Sequence, residues 1–315
     1  GGTDLREFYE KEDGKVISAA IDKYIFVIVT ERFDEKIYVN YSKKEIVSAV
    51  DDIQHELVRE AMKKTGIHNG VEITMLADIP SEGSGLGSSS SLTVGLLNAF
   101  YMYQGEQIPA EQLAQEACEI EIDICGKPIG KQDQYIAAYG GVREFTFKQD
   151  NMVTVDKVKL SPSDFRKFGS DLLLFYTNIT RKSSEILTEQ KANTAEKRDS
   201  LKKLKAFVPQ VRSAIENRAY HVLGEILHES WRIKRGLASK ISNDQIDDLY
   251  QTARSAGALG GKVAGAGGGG FLFLYVSLNK QDAVRNIMNG SRELPFLLEQ
   301  DGSKVIFNQR RYPAR

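Results

Sequence analysis

Glycine and serine are concentrated between positions 80 and 91, where the sequence reads PSEGSGLGSSSS. The glycines can adopt positive φ, so backbone N–H groups can point at an anion without a Cβ in the way. The serine hydroxyls that follow can add hydrogen-bond donors, and one of them can ligate Mg²⁺. This chemistry suits a polyphosphate. The predicted nucleotide-binding residues are Gly83, Ser84, Gly85, Leu86, Gly87, Ser88, Ser89 and Ser90.

The elements on either side of this loop must position it. Residues 71–76 alternate apolar and polar side chains, which predicts a half-buried strand. After the loop, Leu92, Leu96, Phe100 and Tyr103 recur at helical spacing, so a helix N-terminus would add its free amides and positive dipole end. No Lys-Ser or Lys-Thr pair follows Gly87, so this is not a Walker loop. A flexible linker is the alternative, but a linker is not expected between a strand and an apolar helix.

A carboxylate at position 121 stands out on the next predicted helix, which runs from about residue 109 to 124. At ~100° per residue, Leu113, Ala117 and Ile120 form an apolar stripe, and Glu121 lies at its edge. A buried carboxylate must be paired, protonated or bound to a metal. The spacing leaves two interpretations open: a metal or ion-pair ligand, or a partly exposed glutamate at the margin of the stripe.

A second carboxylate, Asp133, lies in the polar segment GKQDQY, just before a helix-like run. It could cap the N-terminus of that helix. It could also be a base that accepts a hydroxyl proton, with Lys131 nearby to keep it ionised. The pattern by itself favours the cap.

A run of glycines near the C-terminal end, GAGGGG at 265–270, contains a GxGxxG match. In a dinucleotide-binding fold this motif follows a strand and opens a helix. Here an apolar strand-like segment follows at 271–276, which disfavours a nicotinamide enzyme. A specially shaped loop beside a ligand fits better than a simple turn, and its expected members are Gly265, Gly267, Gly268 and Gly269.

Composition narrows the class of protein. The chain has 315 residues, 41% of them hydrophobic and 27% charged, as in ordinary globular proteins with one large or two ordinary domains. A formal net charge of -1 argues against nucleic acid or an acidic membrane surface as partner. No apolar run approaches the ~20 residues needed to span a bilayer. The sequence shows no signal-peptide pattern, and two scattered cysteines fit a reducing compartment, so a cytoplasmic location is expected.

Strand and helix signals fall into two blocks. Strands are expected within 15–40, 142–147 and 152–158, a boundary at 159–170, a strand at 171–177 and a long helical region at 183–255. Helices do not alternate strictly with strands, so an α+β fold is favoured over a doubly wound parallel sheet. The predicted domains are 1–165 and 166–315.

Taken together, the motifs resemble the GHMP kinase superfamily, named for galactokinase, homoserine kinase, mevalonate kinase and phosphomevalonate kinase. Three family motifs occur in order: GGTD at 1–4, the loop at 80–91 and the glycine-rich segment at 262–270. The Pro-x-Arg that normally begins the first motif does not occur in this sequence. The resemblance implies a two-domain fold, ribosomal-protein-S5-domain-2-like in the N-terminal half and ferredoxin-like in the C-terminal half.

The resemblance also implies roles for single residues. Asp133 matches the family's catalytic aspartate, with Lys131 as its neighbour, and Glu121 and Ser89 match its Mg²⁺ ligands. The implied cofactors are ATP and Mg²⁺. GGTDLREFYE, GKQDQYIAAYGG and KVAGAGGGGFLF are most similar to kinases of heptose phosphates, and fucose kinases share several of these segments. The expected substrate-binding residues are Thr3, Asp4, Gln132, Arg181 and Ser183.

The expected reaction is transfer of the ATP γ-phosphoryl group to the anomeric hydroxyl of a phosphorylated sugar. Two alternatives remain at this point: a kinase of an unphosphorylated sugar, and a non-catalytic nucleotide- or sugar-binding protein on the same fold. The expected partner is a small-molecule sugar phosphate, with neither nucleic acid nor membrane. The sequence is also compatible with a homodimer.

Overall fold

A computed structural model describes residues 2–79, 83–180 and 182–309, and helices and strands alternate irregularly along them. The strands are β1 (Gly14–Ala19), β2 (Ile25–Glu31), β3 (Ile37–Asn40), β4 (Lys44–Val47), β5 (Val71–Ala77), β6 (Val142–Phe147), β7 (Val153–Lys157), β8 (Leu172–Tyr176), β9 (Gly260–Val263) and β10 (Phe271–Tyr275). The helices are α1 (Arg6–Tyr9), α2 (Glu56–Thr65), α3 (Ser88–Gln104), α4 (Ala110–Cys118), α5 (Gln132–Tyr139), α6 (Pro162–Ser170), α7 (Ser183–Ala192), α8 (Arg198–Glu216), α9 (Tyr220–Lys234), α10 (Asp244–Ser255) and α11 (Leu278–Ile287). A 3₁₀ turn, Val50–Asp52, and a π-helical turn, Glu119–Ile124, complete the described elements.

The strands form three separate sheets. The first block of the chain holds two of them, with strand orders β1-β6-β7 and β2-β5-β3-β4. The second block holds the third, with order β8-β10-β9. The β3–β5 pair is parallel, and the other pairs in these sheets are antiparallel. This mixture of mostly antiparallel sheets with helices on their faces is the α+β class that the sequence predicted.

Helix α3 organises the core of the first block. Val94, Leu97 and Phe100 on it are fully buried in a cluster that also contains β3, β5 and α2 side chains. Gly95 lets the helix approach β2, because a Cβ at that position would lie 3.3 Å from the side chain of Val27. The N-terminal end of α3 is therefore held rigidly at the point where the glycine-serine loop ends.

The helix predicted for residues 109–124 has two parts. The α-helical part ends at Cys118, and the following six residues form a π-helical turn. A π turn fits an extra residue into the helix and changes the direction of the side chains after it, and such turns occur frequently at functional sites. Glu121, expected at the edge of the apolar stripe, is 0% exposed.

The second block differs from its predicted outline in two places. The expected long helical region is divided into α7, α8, α9 and α10. The expected boundary at 159–170 contains α6, whose start is capped by the Ser161 hydroxyl accepting the Asp164 N–H at 3.1 Å.

The chain returns to the first block after α11. The Leu297 carbonyl accepts the Asp22 N–H at 2.9 Å, and the Ser303 N–H donates to the Ala137 carbonyl at 2.8 Å. Residues 297–303 therefore pack on the first block, although they follow all the strands of the second.

Apolar contacts join the two blocks beside the glycine-serine loop. Leu174, Ala264 and Phe271 of the second block pack with Ile79 and Leu86 of the first. Helix α1 also bridges the blocks, because Phe8 lies in the core of the second and Tyr9 in the core of the first. The loop at 83–87 is consequently pressed against β9 and β10.

Within the described parts of the chain, no helix combines the length and the apolar character needed to cross a membrane.

Candidate active site

The glycine-serine loop has the backbone geometry of an anion site. Gly83, Gly85 and Gly87 have φ of 71°, 72° and 74°, in the region that favours glycine. Gly87 is the N-cap of α3, and the first turn of that helix contains no acidic side chain. Its free N–H groups and positive dipole end are therefore available to a negative group. Pro80, Ser81 and Glu82 lie outside the described residues.

The serines of the loop differ in accessibility. The Ser84 and Ser88 hydroxyls are 3.2 Å apart, and the Leu86 N–H donates to the Ser84 hydroxyl at 3.4 Å. Ser90 is buried, while Ser89 at the start of the helix is partly exposed. Ser89 is thus better placed than Ser90 to reach a ligand from the first turn of α3.

The glycine run at 265–270 packs directly on this loop. A Cβ on Gly265 would lie 2.7 Å from the Gly85 Cα, and a Cβ on Gly270 would lie 2.5 Å from the Ser84 carbonyl oxygen. Real Cβ atoms do not approach so closely, so the glycines allow two backbones to touch. Gly267 and Gly269 face Ile241 and Ile179 in the same way, and Gly268 donates its N–H to the Ile241 carbonyl at 2.6 Å. The run acts as a support for the loop.

Asp133 lies at the mouth of the loop. A Cβ on Gly87 would lie 3.3 Å from the Asp133 Cγ, so the carboxylate sits beside the N-terminus of α3. The cap position of α5 belongs to Lys131, and no side chain makes a cap hydrogen bond there. The cap interpretation of Asp133, which the pattern alone favoured, is therefore wrong.

The environment of Asp133 favours its protonated form. Burial, with the nearby carboxylates of Asp4 and Glu121, raises the pKa of Asp133 to about 7, and Lys262 acts in the opposite direction. A carboxylate with a pKa near neutrality is suited to accept a proton and later release it.

Asp4 approaches the same place from the N-terminal segment. A Cβ on Gly130 would lie 2.0 Å from Asp4 Oδ2, and Asp4 Oδ1 accepts the Gly2 N–H at 2.7 Å. The Thr3 hydroxyl donates to the Lys15 carbonyl at 2.7 Å and accepts the Lys15 N–H at 3.2 Å. Thr3 thus anchors this segment to β1, and Asp4 is the residue that faces the site.

Glu121 is held by two neighbours. The Gln134 side-chain amide donates to Glu121 Oε2 at 2.7 Å, and Lys127 Nζ lies 3.6 Å from Oε1. Oε1 is buried and has no hydrogen-bond partner among the described residues. An orphaned carboxylate oxygen of this kind is a free ligand position.

These groups fit Mg²⁺ rather than a metal held entirely by protein. The described residues contain no group of three or more His, Cys, Asp or Glu side chains that could hold a metal. Mg²⁺ commonly takes one or two protein ligands together with phosphate oxygens and water. Glu121 Oε1 and the Ser89 hydroxyl suit that role, and bound Mg²⁺ would neutralise phosphate charge.

Lys131 is not the cation that faces Asp133. Its ammonium donates to the carbonyl and side-chain oxygens of Asn151 and lies 5.0 Å from the centre of the Tyr9 ring. The expectation that Lys131 keeps Asp133 ionised is corrected: the cation on Asp133 is Lys262 of β9. Residue spacing suggested Lys131, but the turn at the start of α5 directs its side chain to the other side.

The remaining expected substrate residues are less closely joined to this site. Gln132 begins α5 beside Asp133 and is partly buried. Ser183 is exposed at the start of α7, four residues after Ile179, whose carbonyl accepts the Gly270 N–H at 2.9 Å. Arg181 lies outside the described residues.

A narrow cleft opens beside the loop between the two blocks. Its lining is mainly apolar, with two serines of α3 at one end: Ile21, Lys23, Tyr24, Ile25, Ile79, Leu86, Ser88 and Ser91. This combination suits a planar, largely apolar group attached to a phosphate.

Sequence reasoning missed three residues of the site: Gln134, Lys127 and Lys262. Gln134 and Lys127 follow Glu121 closely in the sequence, but only the π turn brings them to its carboxylate. Lys262 stands directly before the glycine run, and nothing in that pattern indicates the carboxylates that it faces.

Comparison with known proteins agrees with this geometry. The model of the GHMP kinases N terminal domain matches residues 46–141, and that of the GHMP kinases C terminal domain matches residues 211–292. The chain is 30% identical to D-glycero-alpha-D-manno-heptose 7-phosphate kinase of Campylobacter jejuni, over 89% of this chain and 87% of that protein. It is 29% identical to L-fucokinase/L-fucose-1-P guanylyltransferase of Bacteroides fragilis, over 75% of this chain and 25% of that protein.

Solved structures share the fold. A D-glycero-D-manno-heptose 1-phosphate kinase from Bacteroides thetaiotaomicron superposes with a TM-score of 0.79 at 24% identity, covering 96% of this chain and 93% of that one. Because the family models match both halves of the chain and the Campylobacter relative aligns along most of its length, the chain belongs to the GHMP kinase family and is an ATP-dependent kinase.

Proposed function

We propose that this kinase phosphorylates the anomeric hydroxyl of D-glycero-D-manno-heptose 7-phosphate and releases the 1,7-bisphosphate and ADP. The observation that carries the proposal is the position of Asp133, a carboxylate beside Gly87 at the N-terminus of α3. A proton acceptor is thus adjacent to the place that suits phosphates. The 30% identical heptose 7-phosphate kinase supports the choice of acceptor.

The transfer is a single in-line displacement. The loop at 83–90 holds the triphosphate by backbone N–H groups and hydroxyls, and the apolar cleft beside it takes the base of the nucleotide. The anomeric oxygen forms a bond to the γ-phosphorus while the bond between that phosphorus and the β–γ bridging oxygen breaks. The hydroxyl proton passes to an Asp133 carboxylate oxygen. Catalysis of this kind comes mainly from positioning and electrostatics.

Magnesium bound by Glu121 and Ser89 together with the phosphates would offset the charge of the transferring group. The chain itself supplies the position of these ligands, because Gln134 and the π turn hold Glu121 toward the loop. Asp4, held against Gly130, is placed to accept hydrogen bonds from sugar hydroxyls. Thr3 and Gln132 support that part of the site.

The 7-phosphate of the substrate requires a cationic or helix N-terminal anchor. Arg181 and Ser183 are proposed for this role because they stand at a strand-to-helix junction and Ser183 opens α7. On this proposal, Arg181→Ala raises the KM for heptose 7-phosphate at least about 10-fold and changes the KM for ATP little.

A substrate panel tests the proposal. The purified chain with ATP and Mg²⁺ would be offered heptose 7-phosphate, free heptose, fucose and galactose, with ADP release as readout and ³¹P NMR to locate the new phosphate. We expect activity on the 7-phosphate and a new resonance of a phosphate on C1. Asp133→Asn should lower turnover by about 10²-fold or more while ADP still binds.

The second candidate is a kinase of an unphosphorylated sugar, favoured by the similarity to the Bacteroides fragilis fucokinase. Activity on free sugars without activity on sugar 7-phosphates would replace the first proposal with this one.

A further inference from the structure

Lys262 on β9 is a cation that neither the phosphate loop nor the proposed transfer step uses. It pairs with Phe273 in the antiparallel register between β9 and β10, and Phe273 in turn pairs with Leu174 of β8. Residues directly opposite each other on neighbouring strands project from the same face of a sheet. Lys262 therefore shares a face with Phe273 and Leu174.

That face points at the first block of the chain. Phe273 and Leu174 pack in the apolar cluster that contains Ile79 and Leu86 from either side of the phosphate loop. The alternate face, with Leu272 and Leu274, is buried in the separate core of the second block. Lys262 consequently leaves its own block and enters the interface.

The backbone contacts place Lys262 close to the carboxylates. Two residues after it, the Ala264 carbonyl oxygen lies 2.8 Å from where a Cβ on Gly85 would be. Gly87, two residues further along the loop, touches Asp133. Lys262 is partly buried, and its charge acts on Asp133 and Asp4, which both raise its pKa, while burial lowers it.

The other cations near the site are committed elsewhere. Lys131 is bound to Asn151, and Lys127 lies between Glu56 and Glu121. The ion pairs within 4 Å found in the described residues do not include Lys262. Its ammonium therefore lies near two carboxylates without being fixed to either one.

We propose that Lys262 is the positioning cation of the transfer site: from the second block, it balances the charges of Asp133 and Asp4 and orients the Asp133 carboxylate toward the acceptor hydroxyl. The inference rests on the proposed role of Asp133. It also gives the glycine run a purpose, since the close contact of Gly265 with Gly85 keeps β9, and with it Lys262, at the mouth of the loop.

The charged groups that act on Asp133 come from three elements. Asp4 faces it from the N-terminal segment, Glu121 from the π turn and Lys262 from β9. Removing Lys262 leaves only carboxylates around Asp133, so the ionised form becomes less favourable and the base becomes active only at higher pH.

The experiment compares Lys262→Met, Lys262→Gln and Lys262→Arg, with Lys240→Met as a matched control, because Lys240 is an exposed lysine of the same block paired with Glu185. Each variant is measured for kcat between pH 5.5 and 9, for ADP affinity and for thermal stability. We expect Lys262→Met to lower kcat at pH 7 by about 10- to 100-fold and to move the acid limb of the profile up by about one pH unit. ADP affinity should stay within about 3-fold, and Lys262→Arg should recover most of the activity.

A purely structural role would reduce stability and activity together and leave the acid limb in place, and that result overturns the inference. Lys262→Gln provides the same comparison if Lys262→Met does not fold. The failures are distinguishable: if Asp133→Asn keeps normal turnover, the proposed function loses its base. If Asp133→Asn is inactive while Lys262→Met and Lys262→Gln behave as the unaltered chain, only the role of Lys262 is rejected.

Discussion

Gly85 and Gly265 touch across the interface between the two blocks. A Cβ on Gly265 would lie 2.7 Å from the Gly85 Cα, and both residues have positive φ, 72° and 59°. The contact joins the phosphate loop to the glycine run that carries β9 into β10. The shape of the loop therefore depends on a segment about 180 residues further along the chain.

Substituting one of these glycines should impair nucleotide binding more than it impairs folding. Gly85→Ala places a methyl group 2.8 Å from the Ala264 carbonyl oxygen and strains the backbone, so we expect a cost of about 1–3 kcal/mol in the free energy of unfolding. We also expect the Kd for ATP to rise at least about 10-fold, because the N–H groups of the loop would be displaced. Calorimetric titration and urea unfolding measure the two effects.

Gly66→Ala is the matched control. Gly66 has φ of 71°, and a Cβ on it would meet nothing within 4 Å. It therefore has the backbone strain without the contact between loops. If both variants bind ATP equally well, the Gly85–Gly265 contact does not shape the nucleotide site.

The pH dependence of stability should report the buried charge of Asp133. Its pKa of about 7 in the folded chain lies above the ordinary value of 3.8, so folding favours the protonated form. Stability from this group is fully present below about pH 4 and is lost as the pH rises through about 7. Relative to Asp133→Asn, the nucleotide-free chain should lose about 2 kcal/mol between pH 5 and pH 8.

Asp164→Asn is a control of opposite sign for this measurement. Ser161 and Arg218 hold the pKa of Asp164 below its ordinary value, so its contribution to stability is lost as the pH falls. Urea unfolding of the three proteins at several pH values gives the comparison. A constant difference between the unaltered chain and Asp133→Asn would show that Asp133 titrates alike in the folded and unfolded states.

The orphaned Oε1 of Glu121 predicts a specific metal phenotype. Glu121→Gln keeps the shape of the side chain but removes its charge, so we expect the Mg²⁺ concentration for half-maximal activity to rise at least about 10-fold. Turnover as a function of free Mg²⁺ measures the effect. Glu119→Gln on the same π turn is the control, because Glu119 is 46% exposed and pairs with Lys64. Coincident Mg²⁺ curves for the two variants would remove Glu121 from the metal site.

Lys131 should affect stability rather than turnover. Its ammonium is bound to two oxygens of Asn151, and burial lowers its pKa. Lys131→Met should lower the free energy of unfolding by about 1–3 kcal/mol, because Asn151 loses its donor. We expect kcat to remain within about 3-fold. A large loss of kcat in a variant of normal stability would restore Lys131 to a catalytic role.

The local patterns of the sequence were enough to predict the phosphate loop and its setting. Strand β5, the glycines at 83, 85 and 87 and helix α3 occur in the predicted order, because alternation, helical spacing and positive φ are properties of neighbouring residues. The α+β class and the two-block arrangement of strands follow from the same local signals. The family was also recognisable from the sequence, because its motifs are short and contiguous.

The tertiary structure decided which side chains meet. The π turn buries Glu121 and brings Gln134 to it, and a regular helical period does not anticipate that. Lys262, rather than the neighbouring Lys131, acts on Asp133, because the pairing of β9 with β10 projects it across the interface. Backbone preferences are set within a few residues, whereas the charge around a carboxylate depends on segments that only packing brings together.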